Sequence, residues 1–143
     1  MTLLVLVACA HATPVDGHPP GEVVPLRVKG TTLRAHVADD PDEREQGLMG
    51  VTVMAADEGM VFVYPSAGLR YFWMKDTPTP LSIAFCDEAG KVVSLAEMAA
   101  LDTTLTPSGK PAMYVIEANT GWFVDHGVRV GDVVVGLPSG ARR

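Results

Sequence analysis

The run from Arg70 to Phe85, Arg-Tyr-Phe-Trp-Met-Lys-Asp-Thr-Pro-Thr-Pro-Leu-Ser-Ile-Ala-Phe, restricts the fold more than any other part of the chain. An aromatic strand breaks at Lys75-Asp76-Thr77, and Pro78 and Pro80 then remove two backbone donors before Leu81 opens a second apolar strand. A polar kink is thereby held between two strands that both need burial, and the rest of the chain has to supply the strands that bury them.

It does so by alternation. Val24, Leu26 and Val28 alternate with other positions, Gly30-Thr31 can turn the chain, and Leu33, Ala35 and Val37 alternate again, which predicts a β-hairpin. Asp40-Pro41-Asp42-Glu43 reads as a helix start, with Asp40 as N-cap, Pro41 at the first helical position and Glu43 closing a capping box; the helix should reach about Met49. Met60 to Tyr64 is continuously apolar, as in a strand buried on both faces. The turn Asp87-Glu88-Ala89-Gly90 leads into Lys91 to Met98 as a second hairpin. Ala99 to Pro111 reads as a long loop, Met113 to Ala118 as a strand, Gly121 to His126 as a helical turn, and Val133 to Leu137 as a final strand. One definite helix and no βαβ alternation predict a mostly β, α+β domain: an antiparallel β-sandwich or barrel with one short helix.

With 143 residues, 48% of them hydrophobic, the apolar material suffices for one compact domain, placed at residues 22–137 with a short tail over 138–143. Seventeen acidic side chains against eleven basic ones, a net charge of -6, argue against nucleic acid, because phosphate binding needs a basic face. The apolar run Thr2 to Cys9 is too short to span a bilayer and suits a secretory signal. Leu6-Val7-Ala8-Cys9 resembles a bacterial lipobox, in which the cysteine thiol takes a lipid and becomes the new N-terminus; unlike that pattern, no Lys or Arg precedes the run. Residues 1–8 are accordingly read as a lipoprotein signal and 9–21 as a Pro/Gly-rich tether, with Cys9 as the lipidation site. That places the protein in the bacterial cell envelope, touching the membrane through a lipid anchor only. A cytoplasmic location is the alternative if the run is not a signal. His11 and His18 lie in the tether without the further fixed ligands a metal site needs.

Glu43-Arg44-Glu45-Gln46-Gly47-Leu48-Met49 resembles the first signature of the family called domain of unknown function 192. Phe72-Trp73-Met74-Lys75-Asp76-Thr77, continued by Pro80 to Phe85, resembles the second, and Tyr114-Val115-Ile116-Glu117-Ala118-Asn119 with Gly121, Gly127 and Gly131-Asp132 the third. Two positions depart from the pattern: Asp76 stands where Asn is usual, and Ser82 where Asp is usual. If the family site needs a carboxylate at position 82, Asp76 in the kink is the candidate to replace it. The resemblance implies a compact, jelly-roll-like β domain, often found alone behind a signal or anchor, and no established activity.

No nucleophile motif or phosphate loop is present, and Cys86, followed by acids, reads as an inert core thiol. His36 is expected on a solvent face and His126 at a helix end, neither with a visible catalytic partner. The six methionines after the first show no close repeated spacing and read as core filler rather than a Cu(I) site. Glu97 and Glu117 sit inside strands, where an inward carboxylate must find a partner; Arg44, Arg70 and Lys75 are the available cations. From these residues three readings follow. In the first, Arg44, Trp73, Lys75, Asp76, Thr77, Glu117 and Asn119 form one pocket of a binding or accessory domain for a small polar or anionic ligand, with no cofactor or metal. In the second, Glu117 and Asp76 act as the carboxylate pair of a cell-envelope enzyme on a carbohydrate-like substrate. In the third the polar groups are mutually satisfied and the domain is structural, its partner a protein.

Overall fold

The computed structural model describes residue 14 and residues 16–142, so Cys9 and the rest of the proposed signal lie outside the described residues. The element order is β1 (Val23–Val28), β2 (Thr31–Ala38), α1 (Pro41–Gln46), β3 (Glu58–Gly68), β4 (Tyr71–Phe72), β5 (Leu81–Cys86), β6 (Val92–Met98), β7 (Thr106–Pro107), β8 (Ala112–Asn119) and α2 (Trp122–Asp125). The protein is mostly β, built on one six-stranded sheet in the order β1-β2-β3-β8-β5-β6, with β4 and β7 forming a small second sheet.

Both expected hairpins form. Lys29 and Gly30, with φ of 51° and 73°, make the two-residue turn between Val28 and Thr31, a geometry whose twist matches the flanking strands. The Asp40 capping box is complete: its carboxylate accepts from the Glu43 N–H at 2.8 Å and Glu43 reaches back to the Asp40 N–H. The helix ends earlier than expected, because the chain turns at Gly47 with φ 48°, where an added Cβ would stand 3.3 Å from the Phe62 ring. Cys86 is fully buried, and burial, then Asp87, pushes its thiol up to about 12.

Two expectations fail for non-local reasons. The sheet is mixed, because the α1 crossover returns the chain to pair β2 parallel with β3, so β2-α1-β3 is a βαβ unit after all. The described strands also form no closed barrel: one sheet has six strands and a second has two. Instead of a final strand, the C-terminal arm makes single bridges to both sheet edges, Arg27 with Val135 and Lys91 with Val133. Reciprocal Arg27–Val135 hydrogen bonds of 2.9 and 2.8 Å and a Val134 N–H to Gly90 carbonyl bond of 2.9 Å fix it there. The arm thus covers otherwise free strand edges and draws the curled sheet together over one core. That core includes Leu26, Val61, Ile116, Trp122 and Val134; the other face packs Phe62, Phe85, Met74 and Leu81 beneath α1, the loop after it and the kink.

Candidate functional site

On this second face, α1 and the aromatic strand with its kink stand apart and leave an open cleft of about 430 Å³. Its floor comes from the central strands. Period-two alternation along β3 brings Met60, Phe62 and Tyr64 to this face, and on β8 it brings Val115 and Glu117. Glu117 lies in register between Met60 of β3 and Ile83 of β5.

The acid is only 4% exposed, lines the cleft, and has no hydrogen bond or ion pair to any described residue. Burial pushes its carboxyl up to about 8, with no cation pulling it back. The expected pairing with Arg44, Arg70 or Lys75 is not made. Arg44 Nη1 is committed to the carbonyls of Asp39 and Val63, both at 2.9 Å, and Arg70 donates to the Ala112 carbonyl at 3.0 Å. Both guanidinium groups instead approach the Tyr64 ring, at 5.0 and 3.7 Å from its centroid. Burial pushes the Tyr64 phenol up, against the pull of these two cations. Lys75 Nζ sits 5.5 Å from the Trp73 centroid and makes no ion pair with a described residue. Thr77 is buried, its hydroxyl donating to the Lys75 carbonyl at 3.1 Å.

Of the seven expected pocket residues, Arg44, Trp73, Lys75, Thr77 and Glu117 line the cleft and Asp76 and Asn119 do not. Asp76 is exposed with φ 54°, and its carbonyl accepts from the Gly50 N–H at 2.8 Å. Asn and Asp tolerate this left-handed conformation better than other side chains, so its exchange for Asn concerns the turn. Asn119, at the far end of β8, donates to the Ala55 carbonyl at 2.8 Å and ties down a loop.

Ser82 also has another role than the kink. It faces the arm side of the sheet, donates to both Glu97 carboxylate oxygens at 2.7 and 2.6 Å, and accepts from the Gly121 N–H at 2.8 Å, just before α2. Glu97 is its cross-strand partner. The carboxylate beside position 82 therefore comes from the neighbouring strand, and Asp76 replaces nothing there.

His36 is buried rather than solvent-facing: Nε2 lies 2.7 Å from the Glu58 carboxylate and Nδ1 3.1 Å from the Pro20 carbonyl, so it ties the tether's end to the sheet. His126 donates from Nδ1 to the Trp122 carbonyl at 2.7 Å at the end of α2. Sequence reasoning missed Tyr64, Tyr71 and Phe72 in the cleft wall. The signal was available for Tyr64, since it shares the parity of Met60 and Phe62.

Fold and cleft together define a class: a small, mostly β domain whose curled mixed sheet is closed on one face by its own C-terminal arm and carries an aromatic-walled cleft over a buried acid on the other. The chain belongs to the DUF192 family, described as an uncharacterized ACR, whose model matches residues 24–136. Among solved structures it is similar to a protein of unknown function from Novosphingobium aromaticivorans DSM 12444, with 31% identity, a TM-score of 0.78 and coverage of 87% of this chain and 93% of that one. It is also similar to a protein from Sinorhizobium meliloti 1021 described as a candidate transcription regulator, with 32% identity, a TM-score of 0.77 and coverage of 81% and 95%. No curated protein matches.

Proposed function

We propose that this is an extracytoplasmic, lipid-anchored binding or accessory domain whose cleft takes a small polar ligand carrying an anionic group. One observation carries the reading: Glu117, 4% exposed and without a hydrogen bond or ion pair to any described residue, turns its carboxyl to an open cleft. Lys75 and Arg44 supply positive charge to the ligand, and Trp73 and Tyr71 an apolar wall. The anchor rests on the lipobox-like Leu6 to Cys9 and the tether after it.

The test is a thermal-shift screen of the protein against sugars, organic acids, amino acids and nucleotides, beside a Lys75→Ala, Glu117→Gln variant. A ligand at a hundred times its Kd stabilises the native state by about 2.7 kcal/mol. Stabilisation of the parent alone supports the reading; a screen in which nothing distinguishes parent from variant removes it. The anchor is tested separately, by membrane fractionation and mass spectrometry of the parent and a Cys9→Ala variant.

An enzymatic reading keeps one observation in its favour, since an acid that titrates near neutral pH in an open cleft suits proton transfer. Its partner acid would be Glu45 of the cleft wall rather than Asp76. Turnover of chromogenic glycosides, lost in Glu117→Gln, is its measurement.

A further inference from the structure

Glu117, Arg44 and Lys75 line the cleft at different places, none of them in an ion pair with a described residue. The Arg44 guanidinium is fixed at the level of Val63, whereas Glu117 lies opposite Met60, three residues back along β3 and therefore roughly 10 Å away. Lys75 adds a second cation from the opposite wall, in no ion pair with a described residue. Between them the walls are aromatic. Phe62 and Phe72 meet edge to face at 5.0 Å, and the rings of Tyr64 and Trp73 already draw the protein's own cations, Arg44, Arg70 and Lys75.

An anionic ligand would answer Arg44 and Lys75 and leave Glu117 as it stands. A hydroxyl at Glu117 would make an ordinary hydrogen bond. An ammonium there does more: it restores the ionised carboxylate, forms a charge-assisted hydrogen bond away from bulk water, and meets π faces that favour cations. Resting on the binding-domain reading above, we propose that the ligand is a zwitterion, with an ammonium group held by Glu117 and an anionic group directed toward Arg44 and Lys75 across a short spacer.

The other ionisable groups of the cleft are Asp42 and Glu45 on α1, Tyr64 on β3 and Tyr71 on the aromatic strand. Tyr64 is pushed above its usual range, and Glu117, pushed to about 8, is the acid that changes charge between pH 7 and pH 9.

Calorimetric titration of the protein with ε-aminocaproate, its N-acetyl derivative and caproate tests this. The three share a chain and a carboxylate and differ only at the amine, which stays charged to about pH 10. The zwitterion should bind at least about tenfold more tightly than either analogue, and its affinity should rise about tenfold from pH 7 to pH 9 as Glu117 ionises. Glu117→Gln should flatten that profile and remove the preference, and Lys75→Ala should weaken all three probes while leaving the slope. Equal binding of the N-acetyl derivative, or affinity that falls as pH rises, overturns the proposal. So does absence of binding by all three when the thermal-shift screen has found another cleft ligand, an outcome that leaves the binding function standing. If the screen too finds nothing, both fail together.

Discussion

On the face closed by the C-terminal arm, the Glu97 carboxylate takes hydrogen bonds from Ser82 and Thr120, and the Trp122 indole N–H donates to Asp57 at 2.9 Å. On the cleft face Glu117, also a strand carboxylate, has no described partner although Arg44 and Lys75 line the same cleft. Glu58 sharpens the contrast. Burial opposes its ionisation, yet the Ala55 N–H and His36 hold its carboxyl below the usual range. The same sheet can satisfy a carboxylate, so the state of Glu117 is not forced by the fold. It marks where the sheet leaves a carboxyl facing the cleft instead of pairing it.

The largest effect expected from breaking this contrast lies on the closed face. Trp122→Ala should cost about 3–5 kcal/mol in urea denaturation, because the ring is 4% exposed and packs in the main core. A loss below about 1 kcal/mol would mean that the arm side is not the sealed one.

Next is the pH dependence of stability. The folded-state pKa of Glu117 lies above its ordinary value of 4.5, so the folded protein keeps a proton that the unfolded chain has released. That contribution is complete below about pH 4.5 and is lost as pH rises toward 8, at about 1.4 kcal/mol per pH unit. Glu58 acts oppositely: its stabilisation is present above its unfolded value and is lost as pH falls through its lowered one. Glu117→Gln should therefore remove the decline between pH 5 and pH 8 and leave the acid-side loss, and parallel profiles for parent and variant would erase the distinction.

Smaller again, Ser82→Ala takes a partner from both Glu97 and the Gly121 N–H and should cost about 1–3 kcal/mol by thermal melting. The smallest change expected is Trp73→Ala, within about 0.5 kcal/mol because the ring is 45% exposed, while cleft binding falls. A large loss of stability there would make the cleft wall a structural element.

Where the sequence was sufficient, the deciding chemistry lay within a few residues. The first hairpin, turning at Lys29-Gly30 one residue before the expected Gly30-Thr31, the capping box of Asp40 and Glu43, and the buried run Met60 to Val63 follow from backbone conformation, from hydrogen bonds that close locally, and from burial on both faces of a central strand. Much of the candidate site was legible for the same reason: Trp73, Lys75 and Thr77 are fixed by one kink, and Arg44 and Glu117 by regular elements. The tertiary structure decided the rest. The parallel pairing of β2 with β3, the arm that bridges both edges, the burial of His36 and the placing of Ser82 beside Glu97 all depend on which strands become neighbours. An inward carboxylate in a strand can be read from alternation. Whether it meets a cation or an open cleft is settled by side chains distant in sequence, here by Arg44 and Arg70 turning to backbone carbonyls and the Tyr64 ring instead.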